Sequence, residues 1–500
     1  MVPILGTVWS NPQTWPLALL FVLLSGSLLV LLHLVINRQN LPGDAPPVLK
    51  GYPILGSLGF FGKRLEFLQR GQETSPNRLF SFYYGRHPIV ALSGTQGRSL
   101  FYTTRALDLN AGFMMLFAAR PNIDHIRQNR NDNIQPMFKK LLMRDRLATN
   151  LHYLTGDTHN ALRAFDVHRP VDPFAVMYRL IYQLTHRTLG CHDVAEKPDL
   201  LETTMKHYSC IEESSPVQIL FPELPTFAKV RKQWAGINLY WQFRKIIHDR
   251  RDRGIKGTDA MQVLMDDGMS EIEIASFIIG ALFAGLINSG INAAWILAYL
   301  AKNPEWYLRC RDEIDAVVAS HRQNECETAE DILPRVSIDE WETRFPTIDL
   351  CLRESLRLNV SGVAMRRNIG SRDIKIPGTN QIIPAGAFAV YPVDEAHLDP
   401  TVFTDPYSFD PTRFLPNRAE DQKVPHSFLA FGGGLHPCLG MRFAKLSIYI
   451  STAYFMSYFD FYHCDKESSL PLAEALPTVD RNAIGLRLPT NVFLQCKPRF

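Results

Sequence analysis

The stretch Phe431-Gly432-Gly433-Gly434-Leu435-His436-Pro437-Cys438-Leu439-Gly440 decides how the rest of this 500-residue chain is interpreted. A single cysteine lies among glycines and a proline, and an apolar run from Met441 to Tyr458 follows directly. A thiolate needs a metal, a cation or backbone N–H groups near it, and glycines let the backbone approach a flat partner closely. The plain alternative is a buried structural cysteine in a glycine-rich loop that precedes a helix.

Composition narrows the class of protein. Hydrophobic residues make up 46% of the chain, so a large core can be buried, and the formal net charge of +3 gives no basic field that would favour nucleic acid. The eight cysteines contain no C-x-x-C pair, which indicates reduced thiols rather than a disulfide framework or a zinc site. The expectation is a protein that faces the cytosol.

A long apolar helix is predicted upstream of the cysteine loop. Ser270-Glu271-Ile272-Glu273 forms a capping box, and the apolar residues that follow continue to a stop at Lys302-Asn303-Pro304. A helix that is apolar on nearly all sides is expected to be buried. Within it, Gly285 costs about 1 kcal/mol relative to alanine, which predicts a partner packed close to the backbone. Asn288 needs hydrogen-bond partners if it is buried there.

Two further helices and a charge motif are predicted next. Pro304 starts a helix on which Glu313 is expected to face solvent, and Pro346 opens another that runs to Leu358. On the second helix, Glu354 and Arg357 have the i, i+3 spacing of residues on one face. Taken alone, this is an ordinary ion pair that contributes little.

Together these motifs resemble those of cytochromes P-450. The loop is similar to the haem-binding pattern FxxGx(R/H)xCxG, which Phe431, Gly434, His436, Cys438 and Gly440 match. In the family the cysteine is the axial ligand of the haem iron. The resemblance implies a mainly α fold, with a large helical domain and a small β region, and it assigns these five residues to cofactor binding with Cys438 as the metal ligand.

The resemblance also implies roles for the charged residues. Glu354-Ser355-Leu356-Arg357 is similar to the family's ExxR motif, whose partner is the arginine of a PERF-like motif, here Arg413. The three charges would form a buried network that locks the loop under the haem. Either Arg366 or Arg367 could bind a haem propionate through its guanidinium, and Arg367 is the one we assign to the cofactor.

The distal helix departs from the family pattern (A/G)Gx(D/E)T(T/S). Ala284 and Gly285 match, but Ile287 occupies the acid position and Asn288 the threonine position, with Ser289 next. The usual acid and alcohol relay protons during oxygen activation, and an isoleucine relays none. Asn288 can hold a water and Ser289 can supply a hydroxyl. The resemblance therefore implies an oxygen site formed by Gly285, Asn288 and Ser289.

The reaction that the resemblance implies is monooxygenation of a lipophilic substrate, such as a terpenoid, sterol-like or polyketide secondary metabolite. The cofactor would be haem b with an axial thiolate, and the electrons would come from NADPH through a separate membrane-bound reductase, with cytochrome b5 as an optional second donor. No flavin or dinucleotide fingerprint occurs in the chain. Arg442 and Lys445 are candidate contacts for the reductase. Two alternatives stay open: a haem-thiolate isomerase or dehydratase that needs no reductase, and a non-catalytic haem protein.

The N-terminal segment predicts a single-pass anchor. Residues 17–36 read LALLFVLLSGSLLVLLHLVI, which is long enough to span a bilayer as a helix. No Lys or Arg precedes this segment and Arg38 and Lys50 follow it, so the bulk of the chain is expected in the cytosol, at the endoplasmic reticulum. We expect an anchor at residues 1–37, a proline-rich hinge at 38–56 and a catalytic domain at 57–500, with a β-hairpin at 76–96.

Overall fold

The computed structural model describes residues 20–21, 25–26, 38–116, 134–212, 216–221, 226–483, 488–489 and 491–499. The membrane helix predicted over residues 17–36 therefore lies almost entirely outside the described residues. The chain divides into two compact units. The first contains the described residues up to Met115 together with Ala364–Tyr391, and the second contains those of Leu116–Val363 and Pro392–Phe500.

The first unit is built on a mixed five-stranded sheet in the order β1-β2-β7-β4-β3. Its strands and the small β5–β6 pair are β1 (Phe80–Tyr84), β2 (His87–Ala91), β3 (Leu107–Asp108), β4 (Val363–Asn368), β5 (Ile374–Lys375), β6 (Ile382–Ile383) and β7 (Phe388–Pro392). Its helices are α1 (Gly59–Gly62), α2 (Arg64–Glu73), α3 (Gly94–Thr103) and α4 (Leu109–Leu116).

The predicted hairpin is confirmed in this sheet. Strands β1 and β2 pair antiparallel, with Tyr84 opposite His87, and Gly85 in the tight turn adopts a φ of 56°. Positive φ at this place matches the twist of the two strands, and glycine adopts it without steric cost. Strand β7 pairs parallel to β2, so the two separate chain segments that form this unit share one sheet.

The second unit is mainly helical, as expected. Its helices are α5 (Ile134–Leu141), α6 (Arg144–Arg163), α7 (Pro173–Leu189), α8 (His192–Glu196), α9 (Pro198–Glu212), α10 (Pro216–Leu220), α11 (Phe227–Arg253), α12 (Ala260–Asp266), α13 (Glu271–Lys302), α14 (Pro304–His321), α15 (Ala329–Ile332), α16 (Ile338–Thr343), α17 (Pro346–Asn359), α18 (Val393–His397) and α19 (Met441–Tyr458). Its strands are β8 (Gly432–Gly433), β9 (His436–Pro437), β10 (Phe459–Cys464) and β11 (Phe493–Pro498).

Helix α13 forms the centre of the second unit's core. It begins with the predicted capping box, in which the Ser270 N–H donates to Glu273 Oε2 at 2.7 Å and the Glu273 N–H donates to Ser270 Oγ at 3.4 Å. It packs most extensively against α7 and also against α11, α17 and α19. A Cβ added to Gly290 would lie 3.1 Å from the Cα of Tyr178 on α7, so this glycine permits the close approach of the two helices.

Helix α13 is also long and apolar enough to span a membrane by length and composition, and among the described residues it is the one helix that meets that test. Most of the apolar segment is buried within the second unit, which is the pattern of a core helix.

The structure corrects the expectation for Glu313. This side chain is half-buried rather than solvated, and it accepts the N–H groups of Thr347 at 2.6 Å and Ile348 at 3.1 Å. Both N–H groups belong to the first turn of α17, where backbone donors have no partner within the helix. Burial raises the pKa of Glu313, and these hydrogen bonds oppose that shift. Glu313 therefore caps the helix that carries Glu354 and Arg357.

Candidate functional site

The cysteine loop is a tight two-stranded turn immediately before α19. Gly432 pairs with Pro437 and Gly433 with His436, and the Cys438 N–H donates to the Phe431 carbonyl at 2.8 Å. These bonds fix both ends of the loop.

Two of the loop's glycines are required by its backbone. Gly432 and Gly434 have φ values of 73° and 59°, in the left-handed region that favours glycine. A Cβ on Gly432 would also lie 2.7 Å from the His436 carbonyl oxygen. The spacing of the glycines is therefore a requirement of the turn that presents the cysteine.

Cys438 is exposed as a residue, but protein atoms shield part of its sulfur from water. The residue is exposed by surface area, while the atoms around the sulfur exclude enough water to raise the pKa of the thiol above its ordinary value. The Gly440 backbone N–H donates toward the sulfur and lowers the pKa in opposition. Without a cation the thiol is therefore protonated at neutral pH, and a metal that binds the thiolate must displace this proton.

An open stripe interrupts the buried surface of α13. Ala284 and Asn288 are exposed and Gly285 is partly accessible, whereas Ala281 and Leu286 are buried. These exposed positions recur every three or four residues, so they lie on one face of the helix.

The glycines of α13 show whether protein atoms cover the open stripe. Among the described residues, no neighbouring atom lies within 4 Å of a Cβ added to Gly285 or to Gly280. The expectation that Gly285 packs closely against another element is therefore not met by protein atoms, and Gly290 has that role instead. The helix backbone at Gly285 is therefore open and not covered by atoms of the described residues.

The predicted site residues Asn288 and Ser289 and their neighbour Ile287 do not share one environment. Asn288 is exposed on the open stripe, whereas Ser289 is 5% exposed and belongs to the buried surface of the helix. Ile287 is partly buried and packs against the hydrophobic core. The side chain with hydrogen-bonding groups on the open stripe is thus Asn288.

The charge network predicted from the sequence forms as a bidentate pair with a second arginine. Arg357 Nε and Nη2 each donate to a Glu354 carboxylate oxygen at 2.8 Å, and Arg413 Nε donates to Glu354 Oε1 at 3.1 Å. All three side chains are at most 1% exposed. Arg413 continues to Glu420, and Arg418 joins Glu420 at 2.8 Å, which extends the network.

The arginines of the network also bind the backbone. Arg357 Nη1 donates to the carbonyls of His397 and Pro406 at 2.7 Å each, and Arg413 donates to those of Thr404 and Asp405. No buried nitrogen or oxygen of Glu354, Arg357 or Arg413 lacks a partner, so the desolvation of each charge is compensated. The network fixes the irregular segment that leads from α18 toward the cysteine loop.

His397 extends this support to the loop, and the sequence analysis did not identify it. Its carbonyl accepts from Arg357, and its ring Nε2 accepts the Leu429 N–H at 2.8 Å, two residues before Phe431. Burial lowers the pKa of His397 to about 3, and the nearby Arg357 charge contributes. The ring is therefore neutral, as an acceptor at Nε2 requires. His397 links the charge network to the start of the cysteine loop.

Replacing His397 with leucine should destabilise the fold by about 1–3 kcal/mol, because the Leu429 N–H loses its buried acceptor. The folded-state pKa of about 3 lies below the ordinary value of 6.5, so this histidine's stabilising contribution is complete above about pH 6.5 and is lost as the pH falls toward 3. The difference in unfolding free energy between wild type and His397→Leu should therefore be smaller at about pH 5 than at about pH 7.5. Urea unfolding at both pH values measures it. A difference that grows on acidification would contradict this assignment, and His397→Gln, which retains an acceptor, is the control.

The other basic residues that the sequence analysis named, two arginines on β4 and two residues on α19, each have a protein partner. Arg366 is 1% exposed and donates to the Phe101 carbonyl at 2.6 Å, and among the described residues its Nε has no partner. Arg367 is exposed and donates to the Gly386 carbonyl at 3.1 Å. Arg442 and Lys445 each pair with an acid, Glu342 at 2.9 Å and Asp349 at 2.5 Å.

Comparisons with known proteins give the family of this chain. The family model "Cytochrome P450" matches residues 46–482. The cytochrome P450 monooxygenase AacuE of Aspergillus aculeatus is 31% identical over 460 residues, which cover 89% of this chain and 91% of the relative. The cytochrome P450 monooxygenase nsrP of Aspergillus novofumigatus is 28% identical and covers 89% of each chain, and the sterol 14-demethylase of Arabidopsis thaliana is 26% identical and covers 91% of each.

A solved structure has the same fold. The retinoic acid-bound cyanobacterial CYP120A1 aligns with a TM-score of 0.72 and covers 92% of this chain and 100% of its own. At 21% identity this likeness shows the fold alone. The family is one of oxygen-incorporating oxidoreductases, and it implies a haem iron with a thiolate ligand. Because the family model spans most of the chain and a relative exceeds 30% identity over most of it, this chain belongs to the cytochrome P450 family.

Proposed function

We propose that this chain is a membrane-associated monooxygenase that inserts an oxygen atom of O2 into a lipophilic small molecule, with Cys438 as the axial thiolate ligand of haem b. The observation that carries the proposal is the exposed Cys438 in a glycine-shaped loop that backbone hydrogen bonds close. The open stripe around Gly285 and Asn288, in the same unit, supports it as the oxygen side of the site.

The residues of the second unit fit a haem. Cys438 would supply the sulfur ligand, and Gly285 would let a flat ring approach the α13 backbone without meeting a bulky side chain. When bound, the haem supplies the redox chemistry that activates O2. Phe431, Gly434, His436 and Gly440 shape the loop, and the Gly440 N–H would stabilise the negative charge of the ligating sulfur.

The distal residues would contribute unequally to the reaction. Gly285 leaves room for a small ligand beside the helix, and Asn288 can donate through Nδ2 and accept through Oδ1. An amide does not release a proton at neutral pH, so Asn288 would act by holding a water molecule that carries the proton. Ser289 is nearly buried, so its hydroxyl is the weaker candidate.

The charged residues would hold the loop rather than touch the substrate. Glu354, Arg357 and Arg413 stabilise the segment before Cys438 through the network described above. For a haem propionate, the unpartnered Nε of Arg366 supports that residue as a candidate beside the assigned Arg367.

Membrane association is supported by an exposed apolar stripe on α11. The stripe's side chains are spaced by three or four residues and are all more than half exposed: Phe227, Val230, Trp234, Ile237 and Trp241. Such a face with tryptophans is typical of a helix at a lipid interface. With the apolar segment at residues 17–36, it supports a single-pass anchor in the endoplasmic reticulum at residues 1–37, a hinge at 38–56 and a cytosolic catalytic domain at 57–500.

The electron supply we propose is NADPH through a separate reductase. Arg442 and Lys445 follow Cys438 closely and would contact the reductase, although each is already paired with an acid and so offers little net charge. An enzyme anchored to a membrane is close to compounds dissolved in the bilayer, so the substrate we propose is lipophilic. Terpenoid, sterol-like and polyketide compounds are the classes to test.

The function is tested by supplying microsomes that contain the protein with NADPH, reductase, isotopically labelled O2 and a panel of those compounds. The expected result is a product that carries one labelled oxygen atom and that disappears when NADPH is omitted. Failure to oxygenate any member of the panel would count against the proposed substrate class. Turnover that persists without NADPH would favour the isomerase or dehydratase alternative, which the replacement of the distal acid by Ile287 motivates.

A further inference from the structure

Asn292 lies one helical turn after Asn288 on the same face of α13, and no role has been assigned to it so far. Its side-chain Nδ2 donates to the backbone carbonyl of Asn288 at 2.7 Å. Asn292 is 1% exposed, whereas Asn288 is exposed on the open stripe. A buried amide thus contacts the residue in the threonine position of the distal motif.

The amide oxygen of Asn292 is unsatisfied. Among the described residues, Asn292 Oδ1 has no hydrogen-bond partner, although the side chain is buried. Leaving such a group without a partner costs about 1–3 kcal/mol. Buried polar atoms without a protein partner commonly bind an ordered water molecule, which needs two or more polar partners.

The surroundings of Asn292 limit what that water could contact. Ile291, Ala293 and Ile296 on α13 are apolar and buried, and the buried Trp295 one turn onward carries an indole N–H that has no partner among the described residues. Toward the open stripe the polar side chains are those of Ser289, which is 5% exposed, and Asn288, which is exposed one turn away. Of these side chains Asn288 is the one on the open stripe, so a water shared by Asn292 Oδ1 and the Asn288 amide is the arrangement that would act on the ligand side of α13.

We infer that Asn292 is a positioning residue for Asn288. Its Nδ2 fixes the Asn288 carbonyl and thereby the backbone from which the Asn288 side chain projects. Its Oδ1 holds a water molecule that hydrogen-bonds to the Asn288 amide and orients the amide's donor toward the oxygen side of the site. This inference rests on the proposed function, because it assumes that Asn288 faces the haem. In this chain two amides and a water then occupy the place of the family's acid and alcohol.

The test uses carbon monoxide as a probe of the distal side in the full-length, haem-loaded, reduced protein. A hydrogen-bond donor near the carbon monoxide oxygen draws electron density onto the ligand and lowers the C–O stretching frequency. Asn292→Leu removes both hydrogen bonds at similar volume, so it should raise this frequency. In an Asn288→Ala background, the same substitution should cause no further shift.

A matched control exists at the C-terminal cap of the same helix. Asn303 Nδ2 donates to the Tyr299 carbonyl at 2.7 Å, which is the same amide-to-carbonyl bond at the far end of α13. Asn303→Leu should leave the C–O frequency unchanged. The wild-type band should also shift in D2O, and this sensitivity should be lost in Asn292→Leu.

The outcomes separate this inference from the proposed function. If the wild-type protein shows no thiolate-shifted carbon monoxide band, the proposed ligand is wrong. If that band is present but Asn292→Leu shifts the C–O frequency equally with and without Asn288, or not at all, Asn292 is only structural. Should Asn292→Leu fail to take up haem, Asn292→Asp keeps the shape and an acceptor but loses the donor, and it should also shift the frequency only when Asn288 is present.

Discussion

Replacing Glu354 with alanine is expected to lower the free energy of unfolding by about 3–5 kcal/mol. The carboxylate binds Arg357 through two hydrogen bonds of 2.8 Å and Arg413 through one of 3.1 Å, with all three residues buried. Its removal leaves the buried Arg357 guanidinium without a counter-charge and Arg413 with Glu420 as its remaining acid. Because total stabilities of about 5–15 kcal/mol are usual, this one change removes much of the margin.

The expected result for Glu354→Ala is a large loss of haem-loaded protein and an unfolding midpoint at much lower urea concentration. Glu305→Ala is the matched control, because Glu305 forms an ion pair of 2.7 Å with Arg309 in which both side chains are more than half exposed. Pairs of this kind contribute about 0.3–0.5 kcal/mol. Similar midpoints for the two variants would contradict the view that the buried network stabilises the cysteine loop. If Glu354→Ala yields no soluble protein, Glu354→Gln, which keeps the shape without the charge, allows the same comparison.

Cys438→Ser is expected to have the opposite profile, with full loss of function and little loss of stability of the haem-free protein. In the haem-free protein the side chain is exposed, and substitutions at such positions usually change the stability of the polypeptide by less than about 0.5 kcal/mol. A hydroxyl is a poor substitute for a thiolate as an iron ligand, so the carbon monoxide band that depends on the thiolate should vanish and turnover with it.

The control for this variant is Cys326→Ser, which changes another exposed cysteine far from the loop in sequence. It should retain the band and the activity. A Cys438→Ser protein that keeps both would show that a different residue ligates the iron. Together with Glu354→Ala, the pair of experiments separates the residues that support the fold from the residue that performs the chemistry.

The sequence was most informative where a local pattern dictates local geometry. The capping box at Ser270, the helix starts at Pro304 and Pro346 and the hairpin around Gly85 are all confirmed, because each depends on contacts between residues close in the chain. The mainly α fold is confirmed as well. The network of Glu354, Arg357 and Arg413 came from the resemblance, since the spacing alone indicated only a surface pair.

What the sequence could not show depends on contacts between distant segments. The hydrogen bond between His397 and Leu429 joins residues that are 32 positions apart, and no periodic pattern in the sequence predicts it. Glu313 appeared solvated among charged neighbours, but the fold brings the first turn of α17 to it. Gly290, rather than Gly285, accommodates a neighbouring helix.

Asn292 was missed although a signal was present. A second asparagine four residues after Asn288, in a helix that is otherwise apolar, has the spacing of a side chain that reaches the preceding turn. The burial of one asparagine and the exposure of the other required the structure.

The identity of the iron ligand is tested most directly by the reduced carbon monoxide difference spectrum of the full-length wild-type protein. The expected result is the red-shifted Soret band that gives the family its name, with loss of that band in Cys438→Ser and retention in Cys326→Ser. Full haem incorporation with a band at the position of a histidine- or water-ligated haem would contradict the assignment of Cys438 as the thiolate ligand.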